Sequence, residues 1–347
     1  MISRKTIAVV TSSPPMAEGG HMVIARELTR ALRDAGHDAQ IIVTPQNQFG
    51  HQASAYLATW LTDVTSSDGR PIDQVISLRW PSYAVRHPRH VCWLNHTMRE
   101  YYDLWHTFSA TLSPQGRLKE QVRKTFIHAA DRYLLTHLSR LFVQSKTVQQ
   151  RIAIWQSVNS TVLYPPAPQR DYRCDGYGPA FLFVSRLTRL KRADLLIRAL
   201  GTPPANAIRL VIAGEGEERP VLERLALDLG VIDRVTFTGR LTDDQLLGEL
   251  ATCRAVCFPP FQEDYGFVTV EAFASRKAVI TCRDSGGPAE LVRDGVNGFV
   301  CEPTPDALGR AMRRLTDDAA LAERMGTAAF EVGAKLTWSE TVRQLLL

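Results

Sequence analysis

The densest run of chemically useful residues is Phe258 to Ala274, FPPFQEDYGFVTVEAFA, in which Glu263 and Glu271 are separated by seven residues. Two prolines end the apolar stretch before it, and the apolar spacing after Gly266 reads as a helix. One carboxylate then lies in the loop and the other on the first turns of the helix. The initial N–H groups, around Tyr265, Gly266, Phe267 and Val268, have no intrahelical acceptor and sit at the positive end of the helix dipole, where a diphosphate can bind. Carboxylates accept hydrogen bonds from sugar hydroxyls, so two of them flanking a phosphate cradle suit a nucleotide-sugar. The competing reading is an ordinary helix start carrying the acidic residues that the macrodipole favours.

These residues have to be positioned by alternating strands and helices. Ile7 to Val10 reads as a strand, followed by a loop with Pro14, Pro15, Gly19 and Gly20, a helix in HMVIARELTRALRDAG and a strand in AQIIV, which together make a β-α-β unit. Further strands are expected at Gln74 to Leu78, His90 to Leu94, Arg140 to Val143 and Ser160 to Leu163, with the longest helix at Arg117 to Leu138. Tyr164 to Pro179, YPPAPQRDYRCDGYGP, holds four prolines and reads as a linker. The alternation restarts with strands at Ala180 to Val184, Ile208 to Ala213, Val235 to Thr238, Ala255 to Phe258 and Ala278 to Thr281. Helices are expected at Ala193 to Leu200 and Arg219 to Leu229. Such alternation implies two α/β domains with parallel sheets covered on both faces. The domains are placed at 1–165 and 166–336, with 337–347 as a terminal amphipathic helix crossing back to the first.

Composition narrows the function classes. The chain has 347 residues, 45% hydrophobic and 22% charged, an ordinary globular balance of about two domains' length. No apolar run reaches the roughly 18 to 20 residues of a membrane-spanning helix. The apolar part of the N-terminus, Thr6 to Val10, is too short for a secretory signal, so a cytoplasmic location is expected. The six cysteines lack a second pair beside Cys253 and Cys257 that would make a zinc site, and read as reduced thiols. A net charge of +5 is too small to argue for nucleic acid. Neither domain shows G-x-G-x-x-G after its first strand, which removes the main warrant for a nicotinamide cofactor.

Six segments in order resemble the glycosyltransferase family 4 enzymes of the GT-B fold. They are the Gly19-Gly20 loop with its helix, FVSRLTRLKRADLLIRAL, IAGEGEE, VTFTGRLTDDQL, the Glu-x7-Glu block and SGGPAELVRDGVNGFVCEP. The resemblance implies an α/β protein of two doubly wound Rossmann-like domains facing across a cleft, the first binding acceptor and the second a nucleotide-sugar donor. It implies a retaining hexosyl transfer from a UDP- or GDP-linked sugar, by front-face attack and without a catalytic metal. The string STVLYPP is similar to relatives that use GDP-mannose.

Carried over position by position, the resemblance makes Arg186 and Lys191 the pair that binds the donor diphosphate. Glu263 holds the hydroxyls of the donor sugar and Glu271 those of the ribose. Gly19 and Gly20 allow close backbone approach to a phosphate, with a plain turn as the alternative. His96 sits near the reacting centre, with a structural histidine as the alternative. Arg240 and Leu241 fall in the loop that reads the base, where backbone groups do most of the work. One departure stands out: Arg276 and Ala278 occupy positions where relatives show Gly and Pro. No Asp-x-Asp occurs, which agrees with a family that works without a catalytic metal.

Expected partners are a nucleotide-sugar and a glycan, lipid-linked or small-molecule acceptor, with no nucleic acid. The helix at Arg117 to Leu138 sets Leu118, Val122, Phe126, Ala130, Tyr133 and Leu134 against a basic face. It either covers the sheet through that apolar face or lies on anionic lipid at the inner membrane surface. Competing functions are a non-catalytic nucleotide-sugar binder and a GT-B nucleotide-sugar epimerase.

Overall fold

The computed structural model describes residues 4–14, 19–46, 50–67, 69–205 and 207–347; Pro15, expected in the first glycine loop, lies outside them. The chain divides into two compact units. One runs to Pro168 and takes in Thr337–Leu347, and the other is Gln169–Leu336.

In the N-terminal unit the chain runs β1 (Thr6–Ser13), α1 (Gly20–Asp34), β2 (Asp38–Pro45), α2 (Gln52–Leu61), β3 (Ser66–Ser67), β4 (Arg70–Pro71), β5 (Gln74–Ser77) and β6 (His90–Leu94). It continues through α3 (Trp105–Ala110), α4 (Pro114–Thr136), β7 (Arg140–Val143), α5 (Lys146–Gln156) and β8 (Thr161–Val162). The parallel sheet has the order β2-β1-β5-β6-β7-β8. Ile7 to Val10 are buried on both faces, as a central parallel strand requires. Helix α1 packs on the sheet through Ile24, Ala25, Leu28, Ala31 and Leu32. The β3–β4 hairpin is made of Ser, Arg and Pro residues with no alternation, and no sequence pattern announces it.

Helix α4 is capped by Ser113, whose hydroxyl accepts from the Gly116 amide, with Pro114 in its first turn. The face it buries is not the apolar one. Glu120, Ile127, Asp131 and Leu135 turn inward, while Leu118 and Val122 are 68% and 67% exposed and Phe126 and Tyr133 are also exposed. The expectation that Leu118, Val122, Phe126 and Tyr133 cover the sheet is therefore overturned. The physical reason is a set of tyrosines inside the unit. The Tyr101 hydroxyl donates to Glu120 Oε2 at 2.8 Å, and Tyr56, Tyr83 and Tyr102 all donate to the Asp131 carboxylate. A polar stripe whose acceptors are filled can be buried at little cost.

The C-terminal unit runs β9 (Ala180–Val184), α6 (Ala193–Leu200), β10 (Arg209–Ala213), α7 (Arg219–Asp228), β11 (Val235–Gly239), α8 (Asp243–Thr252), β12 (Val256–Cys257) and α9 (Phe267–Ala274). It closes with β13 (Val279–Cys282), α10 (Gly287–Leu291), β14 (Gly298–Cys301), α11 (Pro305–Asp317) and α12 (Ala319–Gly333). Its parallel sheet has the order β11-β10-β9-β12-β13-β14. The strand order reverses between β9 and β12. In open α/β sheets the ligand crevice opens beyond the carboxyl ends of the strands at such a switch point. Both the residues after Val184 and the loop after Cys257 leave the sheet there.

The final helix, α13 (Trp338–Leu345), groups with the N-terminal unit. The Trp338 indole donates to the Ala167 carbonyl at 2.9 Å and stands edge-on to Trp93 at 6.2 Å. Gln74 fastens the end of the chain, donating to the Leu345 carbonyl at 2.7 Å and accepting from the Leu347 amide at 3.0 Å.

Candidate active site

The loop after β12 begins Phe258-Pro259-Pro260, and since proline has no N–H the two prolines offer only carbonyls. Arg192 takes both of them, at 2.7 Å each, and forms a two-pronged ion pair with Asp284 at 2.8 and 2.7 Å. Further along, the loop pairs with the chain after β13. The Gln262 amide donates to Asp284 O at 2.8 Å and the Glu263 amide to Ser285 O at 2.9 Å. The Gly287 amide donates to Glu263 O at 2.9 Å. Gly286, at φ +72°, is required at this crossing, because a Cβ there would lie 2.4 Å from the Glu263 carbonyl oxygen.

That framework fixes Glu263, and its carboxylate meets Lys191. The ammonium lies 2.5 Å from Glu263 Oε2, both side chains are mostly buried, and the Phe258 ring sits 5.7 Å from the same ammonium. Lys191 ends a single 3-10 turn, Arg189–Lys191, after which Arg192 takes the left-handed conformation, φ 52°. The four hydrogen bonds of the Arg192 side chain hold that costly backbone in place.

Helix α9 starts at Gly266, φ +81°, where a Cβ would come 2.6 Å from the Phe258 ring, and no side chain caps it. Its first amides, at Phe267 and Val268, have no acceptor within the helix. Tyr265 and Val268 are buried, and Tyr265 packs edge-on against Phe267 at 5.4 Å.

One turn further, Glu271 is buried. Arg170 Nη1 donates to its Oε1 at 2.6 Å and the Tyr172 hydroxyl to the same oxygen at 3.4 Å. Burial pushes the Glu271 carboxyl above its ordinary pKa, and the Arg170 charge with the Tyr172 hydrogen bond pulls it back. The other Arg170 nitrogen, Nη2, reaches Asp243 Oδ1 at 3.0 Å, on the first residue of α8. Thr242 caps that helix in a capping box with Gln245.

The structure thus brings Lys191 and Glu263 into contact and puts Glu271 on the helix that follows. Arg186, just past β9, is exposed, and its side chain makes no bond among the described residues. Arg240 is exposed and Leu241 half-buried in the turn between β11 and α8. Gly19, Gly20 and His96 belong to the N-terminal unit. Gly19 is extended, φ −175°, a conformation open to any residue, and Gly20 begins α1. The His96 ring nitrogen Nδ1 lies 2.8 Å from the Thr97 carbonyl. Sequence reasoning missed Arg170, Tyr172, Arg192 and Asp284. Arg192 had a signal, since it follows Lys191 directly, but Arg170 and Tyr172 sit in a proline-rich stretch that reads only as linker.

At the departure from the family pattern, Arg276 adopts the left-handed conformation, φ 54°, that a glycine would supply. Its carbonyl accepts from the Tyr177 hydroxyl at 2.9 Å and its guanidinium lies 4.0 Å over the Phe330 ring. The turn after α9 is kept without glycine.

The family model described as "Glycosyl transferases group 1" matches residues 170–332, the span that contains Arg170, Lys191, Glu263 and Glu271. Among solved structures, sucrose-phosphate synthase from Thermosynechococcus elongatus aligns with a TM-score of 0.79 at 18% identity, covering 97% of this chain and 96% of that one. The fold is GT-B. HepE of Anabaena, solved in complex with UDP and glucose, aligns with a TM-score of 0.70 at 18% identity over 97% of both chains. By sequence, D-inositol 3-phosphate glycosyltransferase of Nocardia farcinica is 34% identical over 178 residues, which is 48% of this chain and 39% of that protein. The chain thus aligns with about two fifths of the length of that curated relative.

Proposed function

We propose that the chain is a retaining glycosyltransferase that moves a hexose from a nucleotide-diphosphate sugar to an acceptor hydroxyl. The observation that carries this reading is the Lys191–Glu263 contact at the switch point, beside the uncapped start of α9 and eight positions ahead of the buried Glu271. The match of residues 170–332 to glycosyl transferases group 1 supports it. The C-terminal unit takes the donor and the N-terminal unit the acceptor. Arg186, Lys191 and the α9 amides at Phe267 and Val268 meet the negative charge of the diphosphate. Glu263 accepts from the hydroxyls of the donor sugar and Glu271 from the ribose, while the turn at Arg240 and Leu241 faces the base. Gly19, Gly20 and His96 act in the same reaction from the N-terminal unit. The donor is UDP- or GDP-linked, with GDP-mannose first to be tried.

In the reaction the acceptor oxygen attacks the anomeric carbon on the face from which the diphosphate departs. The bond from carbon to phosphate oxygen breaks, and the departing oxygen takes the acceptor proton, so configuration is retained. Positive charge held around the diphosphate stabilises the leaving group where its charge develops. Release of free nucleotide diphosphate from UDP- or GDP-sugars tests the reading, because a pure binder releases none. Absence of release with every donor, with and without glycan acceptors, contradicts it.

The exposed ridge of α4 supports a lipid-linked acceptor. Leu118, Val122, Phe126 and Tyr133 face solvent with Lys119 and Arg132 on the same helix, and an apolar ridge with basic flanks fits an anionic membrane surface. Sedimentation with anionic liposomes at low salt is expected to carry the protein down, and Val122→Glu to release it. No binding to such liposomes rejects the membrane contact.

A further inference from the structure

Resting on that reading of the site, we propose that Arg170 is a positioning residue for the nucleoside half of the donor. It holds one oxygen of Glu271 so that the other accepts the ribose hydroxyls, and it ties that carboxylate to the start of α8. The bonding of Glu271 is one-sided. Oε1 takes both Arg170 Nη1 at 2.6 Å and the Tyr172 hydroxyl at 3.4 Å, while Oε2 has no hydrogen bond among the described residues, and the residue keeps 6% of its surface. A carboxylate gripped at one oxygen has lost the rotation that would blur its other oxygen as an acceptor, and the adjacent guanidinium opposes the rise in pKa that burial causes. The second contact of Arg170 carries the same logic to the base side. Asp243 is 71% exposed and needs no neutralising, so its 3.0 Å bond to Nη2 serves to orient the guanidinium and to link Glu271 with the turn that carries Arg240 and Leu241. A simple fastening of the linker would need only one of these contacts and would leave both carboxylate oxygens equivalent.

The test uses ribose chemistry. Titration calorimetry with UDP, GDP and their 2′-deoxy forms is carried out on the native chain, Arg170→Gln and Arg170→Lys, with circular dichroism and melting as checks on folding. The native chain is expected to prefer the ribonucleotide by about 10-fold, the worth of one charge-assisted hydrogen bond. In Arg170→Gln the ribonucleotide weakens by about 10-fold while the 2′-deoxy form changes little, so the preference collapses. Arg170→Lys, which keeps the charge but not the fork, retains part of it. If Arg170→Gln does not fold, the Lys variant alone decides, since full retention of the preference there overturns the proposal. An equal weakening of both nucleotide forms marks Arg170 as a structural clamp and overturns the inference while the proposed function stands. A native chain that binds neither nucleotide overturns both.

Discussion

Two buried carboxylates, one in each unit, are satisfied in opposite ways. Asp131 is closed on itself, with Tyr56 and Tyr83 donating to Oδ1 and Tyr102 to Oδ2, no cation in contact among the described residues, and no exposed surface. Glu271 is held by a cation on one oxygen and is open on the other. Neutral donors fill both oxygens of Asp131, whereas the cation beside Glu271 fills one and leaves the other without a donor among the described residues. Burial alone does not distinguish the two carboxylates; the distribution of hydrogen bonds over their oxygens does.

The contrast can be broken first at the open site. Glu263→Ala and Lys191→Ala are expected to lower turnover by about two powers of ten or more, because each removes a group that the proposed function sets against the donor. Steady-state rates near the native value in both would contradict the assignment. At the closed site the outcome reverses. Asp131→Ala leaves three buried tyrosine hydroxyls without an acceptor and is expected to cost about 4 kcal/mol in urea unfolding, with nucleotide affinity unchanged in whatever fraction stays folded.

A pH series sharpens the same point. Burial pushes the Asp131 carboxyl from 3.8 up to about 6, against the opposing tyrosine hydrogen bonds. The folded state then holds this proton more tightly than the unfolded one. Its contribution to stability is complete below about pH 4 and is lost as pH rises to about 6, a change of roughly 3 kcal/mol. Asp131→Asn removes that component, so the difference in unfolding free energy between it and the native chain should vary over this range; a constant difference would show that Asp131 does not titrate there. The smallest effect belongs to the turn after α9. Arg276→Gly relieves a left-handed backbone worth about 1 kcal/mol but loses the contact with Phe330, so unfolding should move by less than about 1 kcal/mol either way.

Much of the architecture was legible because parallel sheets leave continuous apolar runs. Phe181 to Phe183 and Val91 to Leu94 could hardly be anything but buried strands. Helix α4 was harder. Its apolar residues announced an inward face, yet the tyrosines that make Glu120 and Asp131 good core residues lie 19 to 75 positions away, and periodicity within one helix carries no trace of distant donors. The site divides along the same line. Lys191, Glu263 and Glu271 stand in local patterns of strand, glycine and helix. Arg170 and Tyr172 acquire meaning only when a stretch rich in proline folds back on Glu271, 101 and 99 positions on. The left-handed Arg192 and Arg276 were likewise hidden, since side-chain contacts let them hold conformations for which glycine is the usual choice.

Calorimetric titration of the native chain and Lys191→Ala with UDP and GDP tests the central claim most directly. The account predicts saturable binding of at least one of the two diphosphates by the native chain and a loss of about 10-fold or more on removal of the Lys191 ammonium. Binding of neither, or equal binding by both proteins, would contradict it.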